Sequence, residues 1–194
     1  MKLPILMLVG VALLGGCSKK AKQIDPDGEA RVEGTGIESR DVRATVAEMN
    51  TQLLSSAAIT QFKGGVPRIA VLPVENRSRF LIDQDILSTL VTDGLVNGSG
   101  GKLAIVNREL TEQIMRERQM KASGQVDNVG AASGMAGVEF FLEGEISSLS
   151  ANTARAQTDY VVIRFQLTDA SSGIVAWSNS WEMKKEGSWG VMYQ

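Results

Sequence analysis

Apolar side chains in the first half of the chain recur at the spacing of amphipathic helices. The first stripe predicts a helix that begins at Ser39, a suitable N-cap residue, and continues to about Phe62. Gly64 and Gly65 follow and are expected to end it. We expect the apolar face of this helix to pack against the core. The stripe consists of Val42, Val46, Met49, Leu53 and Ala57.

Two more helices are predicted downstream, each preceded by a side chain suited to cap its first turn. One begins after Asp83 and ends in the glycine-rich stretch 97–101. The next begins after Asn107 and continues to about Lys121. The apolar side chains of this helix that we expect to face the core are Leu110 and Ile114.

Short apolar runs between the helices predict buried strands, because a strand covered on both faces shows little alternation. One run spans residues 68–74 and has Pro73 near its end, where a missing N–H is tolerated. The other spans residues 102–106. Residues 75–82 are expected to form a polar loop, and residues 129–135 a small helix rich in alanine and glycine.

After residue 137 the apolar period changes from helical spacing to strict alternation, which indicates strands with one buried face. Three such strands follow one another through turns, and this order predicts an antiparallel meander. Residues 186–194 are expected to be a loose tail. The alternating apolar positions are Val138, Phe140, Leu142, Ile146, Val161, Ile163, Phe165, Leu167, Val175, Trp177, Trp181 and Met183.

The order of these elements predicts the fold class. Helices that alternate with strands favour parallel pairing, whereas strands joined by tight turns pair antiparallel. The prediction is therefore an α/β fold with a single mixed β-sheet of about five strands and helices packed on it. The folded domain is expected to span residues 39–185.

The N-terminal residues have the form of a bacterial export signal. Lys2 precedes an apolar run from Leu3 to Leu14. This run is too short for a membrane-spanning helix, which needs roughly 20 residues. The segment Leu-Gly-Gly-Cys that ends at Cys17 resembles a lipobox. This resemblance implies cleavage between Gly16 and Cys17 and acylation of Cys17, which labelling with palmitate would detect. The alternative is that Cys17 is a small apolar residue at the end of a signal or a buried helix.

The N-terminal third of the chain thus divides into three predicted segments. Residues 1–16 are a lipoprotein signal peptide, residues 17–38 a lipidated N-terminus with a flexible tether, and the domain follows. The tether is polar and charged, with too few apolar side chains to pack. Fully extended, residues 18–38 reach roughly 70 Å.

Composition removes several classes of function. The chain has 20 basic and 22 acidic residues, which excludes a basic nucleic-acid-binding protein. It contains no histidine and a single cysteine. The commonest general base and the commonest metal ligand are therefore absent. We predict no catalytic residues, no metal site, no cofactor and no enzymatic activity.

Three glutamates near the start of the meander invite comparison with the carboxylate pairs of glycosidases. Glu139, Glu143 and Glu145 alternate with apolar positions, so strand spacing places them on one face. We interpret this face as a solvated surface, and a catalytic pair in a cleft is the alternative.

One loop has the composition of a protein contact. Phe80 lies beside Arg77 and Arg79, and aromatic and arginine side chains are enriched at interfaces. We therefore predict these three residues as a candidate partner interface. The alternative is that Phe80 folds back onto the domain.

Four segments, together with the lipobox, carry a resemblance to a known family. They are Thr35–Asp41, Ile69–Ser78, Lys102–Arg108 and Thr168–Trp177. Over residues 35–183 the chain resembles the LpoB family, lipoproteins that activate class A penicillin-binding proteins. Parts of the pattern recur in related periplasmic domains of the CsgG type. The tether differs from that of well-studied members, because it is short and poor in proline.

The resemblance implies a lipid-anchored regulator in the outer membrane, facing the periplasm, that binds and activates a peptidoglycan synthase. Its expected partner is a penicillin-binding protein or another envelope protein, and it would contact the membrane through its lipid. The alternative is a non-catalytic structural or assembly lipoprotein of an envelope secretion or flagellar machine.

Overall fold

The computed structural model describes residues 23–28, 34–127, 134–153 and 156–188. Its helices and strands lie between Ser39 and Ser188. In chain order they are α1 (Ser39–Ser55), α2 (Ala57–Thr60), β1 (Arg68–Val71), β2 (Glu75–Arg77), α3 (Gln84–Gly98), β3 (Ala104–Ile105), α4 (Thr111–Ala122), β4 (Phe140–Asn152), β5 (Ala156–Asp169) and β6 (Val175–Ser188).

The described strands form one mixed sheet, which confirms the predicted fold class. The sheet has six strands in the order β3-β1-β4-β5-β6, with β2 paired beside β4. β1 runs parallel to both of its neighbours, and β2 runs parallel to β4. β4, β5 and β6 form the predicted antiparallel meander.

β2 corrects the prediction of a loop over residues 75–82. β1 pairs only with the first residues of β4, so a later stretch of the same strand edge stays available. Pro73 has no N–H and interrupts the ladder, and the chain then pairs again with residues 145–147 of β4. A three-residue strand formed in this way has no periodicity that the sequence reveals.

The core lies between one face of the sheet and helices α1 and α3. Met49 and Leu53 of α1 and Leu87, Val91 and Leu95 of α3 are buried in it. The predicted alternation in β4 and β5 is confirmed, since every second side chain points into this core. The inward side chains of these strands are Phe140, Leu142, Ile146, Val161, Ile163, Phe165 and Leu167.

The first predicted helix is in fact two. α1 ends at Ser55, and the extended backbone of Ser56 (ψ 155°) separates it from α2. The break redirects the chain so that Ile59 still reaches the core, where it is buried. The predicted start at Ser39 is correct, but the N-cap residue of α1 is Glu38 rather than Ser39. The predicted cap of α3 is correct. There, Asp83 Oδ1 accepts hydrogen bonds from the amides of Asp85 and Ile86 at 3.0 and 3.4 Å.

α4 contradicts the prediction that Leu110 and Ile114 face the core. Leu110 precedes the helix and is 48% exposed, and Ile114 is 37% exposed. No residue of α4 is buried. Its apolar side chains are few, so the helix has no stripe wide enough to be drawn onto the sheet. Residues 128–133, most of the predicted small helix, lie outside the described residues, and Gly134 and Met135 are not helical.

β6 is longer than predicted. It extends through residues 186–188, which the sequence assigned to a loose tail, because β5 continues to offer partners down to Ala156. Trp177 and Trp181, expected in the core, lie on the core face of β6 and are partly buried against it.

Candidate functional site

The end of β2 and the loop that follows it hold the three residues predicted to contact a partner. Asn76 organises this loop through its side-chain amide. Its Oδ1 accepts from the backbone N–H and the hydroxyl of Ser78 at 2.9 and 2.6 Å, and its Nδ2 donates to the carbonyl of Phe80 at 2.9 Å. An Asn-x-Ser sequence therefore closes a tight turn here without glycine.

Arg79 anchors the loop to the sheet. Its Nε and Nη2 donate to the two carboxylate oxygens of Asp159 at 2.9 and 2.6 Å, a two-pronged ion pair. The Asp159 side chain is 0% exposed, whereas that of Arg79 is 43% exposed. Ser150 and Gln157 also donate to Asp159. The backbone N–H of Arg79 donates to Ser148 Oγ at 3.0 Å.

Phe80 lies between Arg79 and the core. The guanidinium carbon of Arg79 is 4.9 Å from the centre of the Phe80 ring, a cation–π arrangement. The ring is partly buried and packs against the hydrophobic core. Phe80 therefore supports the loop from below, and its role in partner contact stays a prediction.

Arg77 is the most exposed of the three predicted contact residues. Its side chain is 60% exposed and pairs with Glu75 at 2.9 Å and with Glu145 at 3.5 Å. The hydrogen bond from Arg77 lowers the pKa of Glu75 below its usual range. This small ion-pair cluster lies on the sheet face opposite α1 and α3, because Glu145 alternates with the inward-facing Ile146.

A shallow depression adjoins this cluster. It has a volume of about 200 Å³ and is open to solvent, and Leu72, Pro73, Glu75, Glu143, Glu145 and Arg164 are among its lining residues. The glutamates at 143 and 145 thus share one surface, as predicted from strand spacing. We name Arg77, Arg79 and Phe80 together with this depression the loop–sheet surface.

Glu139 forms an ion pair with Arg68. Hydrogen bonds from the Arg68 side chain lower the pKa of its carboxyl, whereas a general acid needs a raised pKa. Arg68 also donates its backbone N–H to Glu139 Oε2 at 2.7 Å. This pair joins the start of β1 to the start of β4.

Asp159 is the residue of this region that sequence reasoning missed. The inward positions of β5 are apolar from Val161 to Leu167, and Asp159 continues the same register. An acidic residue at an inward position of a strand is the signal that identifies it, because a buried carboxylate needs hydrogen-bonding partners.

Lys185 of β6 lies opposite Asp159 of β5. It binds residues 36–41, which lead into α1, to the same end of the sheet. Its Nζ contacts Asp41 Oδ2 at 2.5 Å, the carbonyl of Gly36 at 3.1 Å and Glu38 Oε1 at 3.4 Å. Ile37 packs against the core. Residues 34–38, predicted as part of the tether, are therefore packed on the domain.

Residues 23–28 also contact the domain, although they lie within the predicted tether. The hydroxyl of Ser39 donates to the carbonyl of Pro26 at 2.6 Å. Arg43 Nε donates to Asp27 Oδ1 at 2.5 Å. These two contacts join residues 26 and 27 to the first turns of α1.

The predicted cleavage and lipidation site, Gly16 and Cys17, lies outside the described residues. Within the ranges the structure covers, none of the helices has the length and apolar character needed to traverse a bilayer. Over those same ranges, no cluster of three or more cysteine, aspartate or glutamate side chains is arranged to hold a metal ion.

Comparison with known proteins identifies the class of protein. Residues 41–183 match the model of a family described as peptidoglycan-synthase activator LpoB. The class is that of regulators of peptidoglycan synthesis rather than enzymes. Because the match covers well over half of the chain, this protein belongs to the peptidoglycan-synthase activator LpoB family.

Solved structures with a similar chain include two from this family. The LpoB C-terminal domain from Salmonella enterica is 18% identical with a TM-score of 0.47, and the match covers 74% of this chain and 98% of that one. LpoB from Escherichia coli, determined by NMR, is 16% identical with a TM-score of 0.43, over 97% and 90% of the two chains. The PelC dodecamer from Paraburkholderia phytofirmans is 16% identical with a TM-score of 0.36, over 61% and 71%. No curated protein sequence matches this chain significantly.

Proposed function

We propose that this protein is a lipid-anchored regulator of the outer membrane that faces the periplasm and binds and activates a class A penicillin-binding protein. The observation that carries the proposal is the family match over residues 41–183. Family membership supports activation of a peptidoglycan synthase in general. The class of synthase, the lipid anchor and the outer membrane go beyond family membership and are our proposals.

The loop–sheet surface is the contact region that we propose for the synthase. Arg77 supplies an exposed, orientable cation, and the neighbouring glutamates supply an acidic surface. Arg79 and its buried partner Asp159 hold the loop in one conformation. A fixed loop loses little conformational entropy on binding, which favours affinity.

The anchor that we propose is a lipid on Cys17. One acyl chain holds a protein only marginally at a membrane, whereas two or more chains anchor it firmly. Pro26 already contacts the domain, so only eight residues, 18–25, separate it from Cys17. Fully extended, this stretch spans roughly 30 Å. The domain would therefore work close to the membrane surface, and the synthase would have to reach it there.

The test is a reconstituted synthase reaction. A purified class A penicillin-binding protein from the same cell is mixed with the full chain, and the consumption of lipid II and the crosslinking of peptides are followed. We expect both rates to rise with saturable dependence on the added protein. If neither rate changes and no complex forms, the proposed function is wrong.

A pair of arginine variants tests the proposed surface. Arg77→Ala removes the exposed cation beside the glutamates, and Arg116→Ala removes an exposed arginine from α4. We expect the first to weaken activation and the second to leave it unchanged. Equal activation by both variants would exclude Arg77 from the contact.

A further inference from the structure

The outer edge of the meander is a long strand that has no second neighbour among the described strands. β6 is 14 residues long and pairs with β5 on one side only within the described part of the chain. It contains no proline, and the irregularity in its pairing lies near its start, opposite Leu167 and Thr168. Short length, proline and bulges are the usual protections of an edge strand, and β6 has none of them over most of its length.

The side chains of β6 are suited to further pairing. On the core face Trp177, Trp181 and Met183 are only partly buried, so apolar surface continues to the edge of the sheet. On the opposite face Glu182 and Lys184 are both exposed. A lysine on an edge strand ordinarily opposes pairing with another chain. Here Glu182 lies two positions away on the same face, so Lys184 of one copy could form an ion pair with Glu182 of another.

We propose that β6 pairs antiparallel with β6 of a second copy of this chain, with Met183 opposite Met183 on the twofold axis. This register places Glu182 of each copy opposite Lys184 of the other. It also places Trp181 of each copy opposite Lys185 of the other on the core face. The edge of β6 is therefore complementary to itself, as a twofold interface between two copies requires.

The neighbouring registers are unfavourable. A shift of one residue between the strands would place the core face of one copy on the open face of the other. A shift of two residues places either Glu182 opposite Glu182, or Lys184 opposite Lys184 with Glu182 opposite Glu186. Like charges directly opposite one another destabilise a sheet. Among these neighbouring registers, the charges of β6 therefore favour the one centred on Met183.

One existing hydrogen bond must be exchanged in this dimer. The backbone N–H of Ser180 donates to Asn179 Oδ1 at 2.8 Å, so this amide is already satisfied at the edge. Pairing would replace that acceptor with a backbone carbonyl of the second copy. The exchange leaves the amide hydrogen-bonded and therefore does not oppose pairing strongly.

The test is disulfide crosslinking of the purified full chain in detergent, with diamide as oxidant. Met183→Cys places two thiols directly opposite each other, at a separation that a disulfide accommodates. Val175→Cys is the matched control, because in this register its two copies lie roughly 50 Å apart. The unsubstituted chain controls for Cys17. We expect about tenfold more disulfide dimer from Met183→Cys than from Val175→Cys, since only the first pair lies in register.

Charge variants test the register, and the unsubstituted chain guards against misfolding. In the Met183→Cys chain, Glu182→Lys should reduce crosslinking about tenfold by opposing two lysines, and adding Lys184→Glu should restore it. Sedimentation of the unsubstituted chain in detergent should give the mass of a dimer. Equal crosslinking at residues 175 and 183, or a monomer mass at all concentrations, would overturn the edge interface. Crosslinking that ignores the charge variants would overturn the register. None of these measurements involves a synthase, so they are independent of the proposed function.

Discussion

The ion pair between Arg79 and Asp159 provides the sharpest test of how the candidate loop is held. Removing one partner of a buried pair costs about 3–5 kcal/mol, because the other charge is left uncompensated. Of the two side chains in this pair, only that of Asp159 is fully buried. Ser150 and Gln157 would remain as hydrogen-bond donors to it in the variant. We therefore expect Arg79→Ala to lower the free energy of unfolding by about 2–3 kcal/mol, below that range or at its lower limit.

The cause can be separated from lost packing by a double-mutant cycle. Asp159→Asn removes the buried charge and keeps the size of the side chain. In Arg79→Ala/Asp159→Asn no uncompensated carboxylate remains, so part of the loss should be recovered. The coupling free energy between the two positions should be about 1–2 kcal/mol, within the range for residues in direct contact.

Urea unfolding is the appropriate assay. Trp177 and Trp181 are partly buried, so their fluorescence reports on the fold. With an m-value of about 2 kcal/mol/M, the midpoint of Arg79→Ala should fall by roughly 1–1.5 M. Arg77→Ala, two residues earlier in the chain, is the control and should change stability by less than about 1 kcal/mol, because its ion pairs are exposed. A midpoint for Arg79→Ala no lower than that of Arg77→Ala would show that the ion pair with Asp159 does not stabilise the fold.

Three further changes probe the packing and the pH dependence of the domain. Gly94→Ala would drive a methyl group into the buried amide of Asn50; thermal unfolding should show a loss of about 1–2 kcal/mol, and Asn50→Ala should restore stability if this overlap is the cause. Gly144→Ala would place Cβ 2.8 Å from a carbon of the Phe165 ring. The free energy of unfolding should fall by more than about 1 kcal/mol in the same assay, and a smaller loss would contradict that close approach. The hydrogen bonds from Arg68 lower the pKa of Glu139 in the folded state, so this pair stabilises the fold above the usual glutamate pKa and loses its effect as the pH falls through the lowered value. Glu139→Gln should therefore flatten the acid side of the stability–pH curve, and an unchanged curve would show that the pair contributes nothing.

The regular parts of the fold were predictable because their side chains repeat. β4 to β6 show alternation over many residues, and α1 and α3 show apolar stripes that the core absorbs. The cap at Asp83 follows from the chemistry of one side chain and its position. In these elements local preference and tertiary packing agree, so the sequence alone was enough.

The remaining parts depend on contacts between distant segments. β2 forms because β4 leaves an edge unpaired beyond β1, and no residue pattern within 75–77 reveals that. Residues 34–38 are polar and glycine-containing, yet Lys185 holds them on the sheet from the far end of the sequence. The candidate site was found in part. Arg77 ends β2, and Arg79 and Phe80 lie in the loop that follows it, but the partner that fixes this loop, Asp159, is 80 residues away from Arg79.

We propose that this protein acts by binding a peptidoglycan synthase, and photocrosslinking in native membranes can detect that contact. A photoreactive amino acid replaces Arg77 on the loop–sheet surface, and the same residue replaces Arg116 on α4 as a control. After irradiation, crosslinked partners are identified by mass spectrometry. We predict that a class A penicillin-binding protein is crosslinked from position 77 and not from position 116. Capture of the synthase from position 116 alone, or from neither position while the protein remains folded in the membrane, would contradict it.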